Sequence, residues 1–404
     1  MDSADKFFRE SHYNIIRVLL SITGLWPFHS VTTRCAIYIG FLLVVGSGLM
    51  FQVMGMIQIW PDIFEVLDCL PLLFYAIIAI IKAICMIYSI PKIKILLIKM
   101  KKYWQSPKSD REMKILQSYA IYGEKFGYVY TGIMFSHSAL YLFMTTLKKF
   151  VYTQFNEESE ASSKIQNAQE GVPYRVNYMV DINTYYIPIL LHTATCEVLY
   201  LFLIISQDVL YLTFVQHCCS LLAALRYLLE DTFEFKDDGD DPVKAIANSN
   251  RCYANIVYSI QRHTEAIQFI DIMESLFTLP LFLHLGCVIS IISVVGFQVI
   301  RNAKDVAVLT RHGIYFCGAV INAFFENWQG QKIIDYSEKV YEYAYNVQWY
   351  DMPNATKKLL ILIMLRSIKP SQITAGKVIV MSYLNFNAVM RASSSYLMLL
   401  RSMQ

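Results

Sequence analysis

Charged side chains are scarce in this sequence: Asp, Glu, Lys and Arg make up 17% of its 404 residues, whereas hydrophobic residues make up 55%. Soluble domains carry about 25% charged residues. The composition therefore excludes an ordinary water-soluble protein and is typical of a chain embedded in a membrane.

Catalytic motifs are also missing. The sequence has no glycine-rich phosphate loop, no group of metal ligands at a recognised spacing and no nucleophile elbow. We therefore expect that the chain is not an enzyme, that it has no catalytic residues, and that it takes no cofactor, metal ion or nucleic acid.

Cysteine is absent from the long polar stretch 148–186, although the chain contains nine cysteines. The nine lie within hydrophobic stretches or in the basic segments next to them. Since disulfide frameworks stabilise small extracellular domains, their absence excludes such a domain in this stretch.

Long hydrophobic stretches are what the sequence has in abundance. Seven of them, each near the ~20 residues needed to cross a hydrocarbon core, cover residues 35–59, 66–90, 126–147, 187–215, 273–300, 307–327 and 377–401. They predict an all-α membrane protein with seven transmembrane helices. An odd number of crossings places the two termini on opposite faces of the membrane.

The positions of Lys and Arg predict which terminus lies inside. Of the 35 Lys and Arg residues, 24 fall in segments 1–34, 91–125, 216–272 and 329–376, and seven fall on the opposite side of the predicted helices. Cytoplasmic segments carry an excess of positive charge. The N-terminus is therefore expected in the cytoplasm and the C-terminus outside the cell.

Four regions follow from this arrangement. Residues 1–33 mix charged and apolar side chains, which is typical of a helix lying in the cytoplasmic interface. Residues 34–328 hold the first six transmembrane helices and, we expect, a ligand cavity. Residues 329–376 form a cytoplasmic anchor helix and linker, and residues 377–404 form the last transmembrane helix.

The anchor region contains an apolar run, residues 359–365, that is too short to span a membrane. Such a run needs a protein surface to cover it. The covering surface is either a neighbouring subunit or the rest of the same chain, and the sequence leaves both open.

Charged residues inside the hydrophobic stretches are costly and usually face protein or water. Lys82 and Asp208 lie toward the inner ends of their stretches, which indicates snorkelling or local pairing. Glu197 lies nearer the middle of the fourth stretch. It is the better candidate for a functional or partner-bonded group.

The last hydrophobic stretch is unusually polar, with Asn385, Asn387, Arg391 and a run of serines at 393–395. A lipid-facing helix would not tolerate so many polar groups. A helix lining an aqueous pore and a helix buried at the centre of one bundle both fit this composition.

Aromatic residues make up 14% of the chain and are frequent in the middle hydrophobic stretches. Rings with few charges suit a cavity for small, volatile, apolar molecules. Aromatic belts at the two membrane interfaces explain many of these residues equally well.

Short motifs occur near both ends of the chain. They are Gly24-Leu25-Trp26-Pro27, Trp328 through Gly330, Ser337, Val340, Ala344-Tyr345, Trp349-Tyr350, Pro353, Lys369-Pro370, Thr374-Ala375-Gly376-Lys377, Ser382, Phe386, Ser393, Ser395-Tyr396 and Leu399-Leu400-Arg401. In these residues the chain resembles the insect odorant receptor family. Gustatory relatives usually carry a Thr-Tyr with Gln-Phe pattern in the last helix, which this sequence lacks.

The resemblance implies a tetrameric, odorant-gated cation channel built from tuning subunits and the odorant co-receptor. Since the co-receptor has a much longer second inner loop than residues 216–272, this chain is similar to a tuning subunit. The implied partners are co-receptor subunits in a heterotetramer, a small volatile odorant and membrane lipid. The implied location is the plasma membrane of an olfactory neuron dendrite.

The resemblance also implies site residues. In the family the odorant binds in an outer-leaflet cavity among helices two, three, four and six, and the last helix lines the pore. The positions that match the cavity are Phe74, Tyr75, Leu142, Phe143, Thr146, His192, Thr193, Cys196, Tyr315 and Phe316. The positions that match the pore are Ala392, Ser395, Leu399, Ser402 and Met403.

Two alternatives share most of these features: a gustatory-type receptor channel and a seven-helix G-protein-coupled receptor. The latter requires an external N-terminus, which the positions of Lys and Arg oppose. A transporter would be expected to show an internal repeat, and a membrane-embedded enzyme would need the catalytic residues that the sequence lacks.

Overall fold

The chain is almost wholly helical, as predicted. The computed structural model describes residues 3–106, 109–155, 171–231, 242–303 and 306–403. Within them the helices are α1 (Ser3–Glu10), α2 (Asn14–Ile22), α3 (Val31–Ile59), α4 (Ile63–Tyr88), α5 (Ile90–Gln105), α6 (Asp110–Phe155), α7 (Tyr186–Asp231), α8 (Pro242–Arg301), α9 (Val306–Asn346), α10 (Asn354–Ser367) and α11 (Tyr383–Ser402). A 3₁₀ turn spans Trp349–Asp351, and strands β1 (Thr374–Ala375) and β2 (Ile379–Val380) form a hairpin.

Five helices of the described chain, α3, α4, α7, α8 and α9, are long and apolar enough to cross a membrane. They contain five of the seven predicted spans. The other two predicted spans, 126–147 and 377–401, fall in α6 and α11, whose sequences contain more polar residues.

The N-terminal region forms two helices rather than one. α1 and α2 are separated by a short turn, and both contribute to the hydrophobic core. Asp5 accepts hydrogen bonds from Arg17 at 2.8 Å and from the indole of Trp26 at 2.9 Å. Trp26 and Phe8 are fully buried. The polar contacts of Asp5 therefore fold the two helices and the following turn into one unit.

The helices α7 and α8 extend well beyond the predicted spans. The sequence predicts that residues 216–234 extend the fourth span as a helix, and apolar residues at helical spacing predict a helix over 243–272. α7 runs on to Asp231 and α8 begins at Pro242, whereas residues 232–234 lie outside the described residues. α7 contacts α3, α4, α6, α8 and α9 and is buried along most of its length. A helix that is hydrophobic all round takes such a central position.

The apolar run in the anchor region lies on α10, and its two faces have different surroundings. Leu360 and Ile363 are buried within the chain, whereas Ile361, Leu362 and Leu365 are between 51% and 58% exposed. The same chain therefore covers one face of this helix and leaves the other open.

The last predicted segment does not begin as a helix. Residues 377–382 belong to the hairpin and its exit, and α11 begins at Tyr383 with Ser382 as its N-cap. Gly376 and Lys377 both have positive φ angles, which form the tight turn between β1 and β2. The turn binds α8, because the amide of Gly376 donates to the carbonyl of Thr278 at 2.8 Å and Lys377 pairs with Glu274 at 2.8 Å.

Candidate functional site

A cavity lies among α4, α6, α7, α8 and α9. The space open to the centre of a water-sized molecule measures about 50 Å³, against roughly 10–15 Å³ for a single water. Its wall is formed by Tyr75, Ile78, Met134, His137, Ser138, Tyr141, Glu197, Leu201, Ile204, His284, Val288, Ile291, Tyr315, Gly318, Ala319 and Asn322. Most of this wall is aliphatic or aromatic, so the cavity suits a small and largely apolar molecule.

The wall residues follow the period of the helix. On α6 they are Met134, His137, Ser138 and Tyr141, at positions i, i+3, i+4 and i+7. α9 repeats this spacing from residue 315 to residue 322, and α7 and α8 each contribute residues at i, i+4 and i+7. Each helix therefore turns one continuous stripe toward the cavity.

Three tyrosine rings form one side of the cavity. The ring of Tyr315 lies 6.3 Å from that of Tyr75 and 6.2 Å from that of Tyr141, in tilted and edge-on arrangements. Two hydroxyl groups are held by backbone carbonyls: Tyr315 donates to Pro71 at 3.0 Å and Tyr141 to Pro173 at 2.7 Å. These bonds fix the rings, so a ligand meets a preformed aromatic surface.

A buried charged network adjoins the cavity. Lys82 on α4 lies 2.7 Å from Asp208 on α7 and 2.9 Å from Glu326 on α9. Glu326 also binds His284 of α8 at 2.5 Å. The pairing interpretation of Lys82 and Asp208 is thus confirmed, with two additional partners. Because its members come from four helices, this network fixes how those helices pack around the cavity.

The network reaches the cavity wall through neutral groups. Asn322 donates to Asp208 at 2.8 Å and to the hydroxyl of Tyr130 at 2.9 Å, and Tyr130 donates to Asp208 at 2.7 Å. His284 and Asn322 both line the cavity. In the part of the chain that the structure describes, no group of three or more His, Cys, Asp or Glu side chains is arranged to hold a metal ion.

Glu197 also lines the cavity and differs from the other buried carboxyl groups. It is 5% exposed, yet its carboxyl group makes no hydrogen bond or ion pair with any described residue. Ser138, on the facing helix, is 5% exposed, and its hydroxyl has no hydrogen-bond partner among the described residues. The wall therefore contains two polar groups that the described residues leave without a hydrogen-bond partner.

His137 is held close to α9. Its Nε2 atom lies 2.8 Å from the carbonyl oxygen of Ile314. Glycine at position 318 makes this approach possible, because a Cβ atom there would overlap the imidazole ring. The requirement for a small residue at 318 is thus set by the histidine across the cavity.

Of the ten residues that the family resemblance places in the binding site, Tyr75 and Tyr315 line this cavity. Cys196 packs against Gly48 of α3, and His192 binds Ser47 at 3.1 Å and Tyr178 at 2.5 Å. These two side chains lie between α3 and α7. Their role in binding a ligand stays a prediction.

The remaining six residues are not part of the cavity lining. Thr193 and Thr146 donate to carbonyl groups one turn earlier in their own helices. Phe143 is 58% exposed, and Phe316 lies beside Gly296 near α11. Leu142 and Phe74 are half-buried.

Most of the wall was not predicted, because the family resemblance placed residues by their depth in the outer leaflet and not by the side of the helix on which they lie. The sequence pattern that identifies them is the helical spacing of the wall residues along each helix. Starting from Tyr315, the helical period leads directly to Gly318, Ala319 and Asn322.

The helix α11 leaves one face open. It packs on α8 and α9, and Ser393 is buried at that contact, where its carbonyl accepts a hydrogen bond from Ser293 at 3.1 Å. Of the five predicted pore residues, Ala392 is half-buried and Ser395, Leu399, Ser402 and Met403 are exposed. The open face therefore mixes hydroxyl groups with large apolar side chains.

The helices that border the cavity also hold α11. On α8, Val288 and Ile291 line the cavity, while Ser293 contacts α11. On α9, Asn322 lines the cavity, and Asn327, just over one turn later, accepts a hydrogen bond from Asn385 at 2.8 Å. α8 and α9 therefore connect the cavity wall to two points on α11, at Asn385 and Ser393.

The fold resembles that of a known receptor. The insect olfactory receptor OR5 from Machilis hrabei, whose structure was solved in complex with eugenol, superposes with a TM-score of 0.80. The match covers 99% of this chain and 100% of that chain, at 12% sequence identity. At that identity the likeness concerns the fold alone.

Two relatives are similar in sequence. Odorant receptor 67a of Drosophila melanogaster is 22% identical over 322 residues, which cover 78% of this chain and 74% of that receptor. Odorant receptor 10 of Aedes albopictus is 29% identical over 149 residues, 36% of this chain and 39% of that receptor. The second match therefore spans well under half of the relative's length.

The family itself is identified by the match to a family model. The model described as "7tm Odorant receptor" matches residues 62–394, which is most of the chain. The chain belongs to the 7tm odorant receptor family.

Proposed function

We propose that this chain is the odorant-binding subunit of a heteromeric, ligand-gated, non-selective cation channel. The observation that carries the proposal is the tyrosine-walled cavity, because two of its five helices, α8 and α9, also hold α11. A small volatile molecule binds there and opens the channel. Membership in the odorant receptor family favours this function over the gustatory and G-protein-coupled alternatives.

Binding in such a cavity is driven by apolar contact. The rings of Tyr75, Tyr141 and Tyr315 offer flat surfaces for dispersion, and aliphatic residues complete the wall. A ligand shifts the channel toward its open state only if it binds that state more tightly than the closed state. Repacking of α8 and α9 around the ligand supplies this difference and moves α11.

The pore is formed where the open faces of α11 from several subunits meet. Ser395 and Ser402 offer hydroxyl groups to water and ions, and Leu399 and Met403 form an apolar constriction of the kind that gates by excluding water. Ala392 lies one turn below Ser395. The other subunits are copies of the odorant co-receptor, and the exposed face of α10 contributes to contacts between subunits.

The proposed arrangement has seven membrane spans, with α6 and α11 added to the five most apolar helices. The N-terminus and the anchor helix lie in the cytoplasm, and the C-terminus lies outside the cell. The transmembrane helices contact lipid of the plasma membrane of a sensory dendrite. The regions 1–33, 34–328, 329–376 and 377–404 then serve as interfacial helices, receptor core, anchor and pore segment.

The test of the ligand site is electrical recording from cells that express the chain with and without an odorant co-receptor, against a panel of volatile compounds. Tyr75→Ala and Tyr315→Ala should raise the concentration for half-maximal current about tenfold, because each removes ~1 kcal/mol or more of contact. Tyr185→Ala is the matched control, since Tyr185 is 52% exposed and outside the cavity wall. Unchanged concentrations for both cavity variants would refute the site.

The test of the pore uses cysteines introduced one at a time on α11, after the exposed Cys35 and Cys317 are replaced by serine. A charged thiol reagent should block current through a Ser395→Cys or Leu399→Cys channel. Ser393→Cys is the control, because position 393 is 1% exposed. Block at 393 with none at 395 and 399 would place the pore elsewhere.

The test of topology is a glycosylation sequon added at either terminus. Modification of a C-terminal tag alone supports the proposed orientation, because glycosylation occurs on the lumenal side. Modification of an N-terminal tag would instead favour a G-protein-coupled receptor.

A further inference from the structure

The carboxyl group of Glu197 is buried beside the cavity and has no partner among the described residues. Every other carboxyl group of the cavity region has a strong partner: Asp208 binds Lys82, and Glu326 binds both Lys82 and His284. Glu197 is buried to 95% and has no such partner in the described chain. A carboxyl group left unpaired at this depth is costly, and such groups usually mark a functional site.

A second free polar group shares the cavity with Glu197. The hydroxyl of Ser138 has no hydrogen bond to any residue in the described ranges, and it projects from α6 while Glu197 projects from α7. Serine hydroxyls in helices usually bond to a carbonyl group one turn earlier, as Ser206 of α7 does to Phe202. Both helices therefore contribute to the cavity wall a polar group that the described residues do not satisfy.

We infer that the cavity selects a compact ligand that carries one hydroxyl or amino group on an apolar body. This inference rests on the proposed function of the cavity. The O–H or N–H of the ligand donates to the carboxyl group of Glu197, and the hydroxyl of Ser138 bonds to the same head group. The rings of Tyr75, Tyr141 and Tyr315 contact the apolar body.

Selectivity follows from the cost of leaving Glu197 unpaired. A hydrocarbon or an ether of the same shape fills the cavity and excludes water, but it offers no donor to the carboxyl group. A site built to bind a donor discriminates strongly against the analogue that lacks it. Binding should therefore favour the alcohol and the amine over the hydrocarbon and the methyl ether of one skeleton.

The experiment uses sets of four probes that share a skeleton, in aromatic and in short-chain forms: the primary alcohol, the primary amine, the methyl ether and the hydrocarbon. Currents are recorded from cells expressing the chain with a co-receptor. For the wild-type chain, the half-maximal concentration of the alcohol or the amine should be 10- to 100-fold lower than that of the ether and the hydrocarbon.

Variants then test the two polar groups. Glu197→Leu should remove the preference for a ligand with a hydrogen-bond donor and improve the response to the hydrocarbon. Glu197→Gln keeps an acceptor, so it should retain the response to the alcohol and weaken the response to the amine. Ser138→Ala is the milder variant, with Ser136→Ala as its control, because Ser136 is exposed on the same helix. Surface labelling of each variant checks that it folds and reaches the membrane.

The outcomes separate this inference from the proposed function. A channel that responds equally to all four head groups, or keeps its donor preference in both Glu197→Leu and Ser138→Ala, overturns the inference and leaves the channel function standing. A chain that gives no current with any probe set and the co-receptor contradicts the proposed function together with the inference.

Discussion

The ammonium group of Lys82 lies 2.7 Å from the carboxylate of Asp208, and both side chains are almost completely buried. The same ammonium group lies 2.9 Å from Glu326. One cation therefore balances two carboxylates that approach it from different helices. Removing that cation would leave two buried negative charges, which is far more costly than losing one hydrogen bond.

Lys82→Met should lower the free energy of unfolding by about 3–5 kcal/mol, because methionine fills a similar volume without the charge. The measurement is the thermal midpoint of the detergent-purified chain, together with its surface level in cells. Lys358→Met is the matched control, since Lys358 is exposed. Equal midpoints for the two variants would show that the buried pair is not needed.

The hairpin before α11 should be sensitive to a single methyl group. At Gly376 the φ angle is +63°, and an added Cβ atom would lie 2.7 Å from Cδ2 of Phe282. Gly376→Ala should destabilise the hairpin by about 1–2 kcal/mol from the backbone angle alone and reduce the maximal ligand-evoked current. Gly313→Ala is the control, because nothing lies within 4 Å of its added Cβ atom. Normal current in Gly376→Ala would show that the turn does not position α11.

The N-terminal unit depends on Trp26, which is fully buried and donates its indole N–H to Asp5. Trp26→Ala should cost about 3–5 kcal/mol through the cavity it leaves. Trp26→Phe keeps most of the packing and should cost about 1–3 kcal/mol through the lost hydrogen bond to Asp5, which Arg17 still pairs. Thermal midpoints of the purified variants distinguish the two costs. Nearly equal losses in the two variants would show that the hydrogen bond matters more than the packing, because both variants lack the indole N–H.

The long helix α8 carries a pH-sensitive group outside the predicted membrane span. Burial, and then the charge of Arg366, lower the pKa of His263 from 6.5 to about 4. The folded chain keeps this imidazole neutral while the unfolded chain binds a proton below pH 6.5, so stability is lost as the pH falls below that value. Between pH 7.5 and 5.5 the loss should be about 1.4 kcal/mol.

The check is the thermal midpoint of the wild-type chain and of His263→Gln at the two pH values. The substituted chain should lose less stability on acidification than the wild type. An equal loss in both would assign the pH dependence to other groups.

The helices were largely predictable because length and apolar content determine them. The helix over 243–272 followed from apolar residues at helical spacing, and the structure confirms it. The predicted extension of the fourth span is confirmed as far as Asp231. The hairpin at residues 374–380 was not predicted: residues 374–376 were assigned to the anchor and linker, and residues 377–380 to the last helix. Two-residue strands are too short to show the alternation of apolar and polar residues that predicts a strand. A lysine also does not predict the positive φ angle that Lys377 has.

The cavity was predictable only in part. Tyr75 and Tyr315 were expected at a ligand site and line the cavity, whereas His137 and Ser138 were not identified as part of it. Depth along a helix can be estimated from distance to its ends, but the direction of a side chain depends on how neighbouring helices rotate. For the same reason the sequence allowed Glu197 to be bonded to a partner, and the structure leaves it open to the cavity.

The helix α8 has 60 residues, which at 1.5 Å per residue gives a rod of about 90 Å. That is three times the ~30 Å thickness of a hydrocarbon core. The hairpin touches it at Thr278, so a tilt of roughly 5° about that point would carry the start of the rod by about 5 Å. Force applied to the distant end of α8 would therefore reach the hairpin that leads into α11.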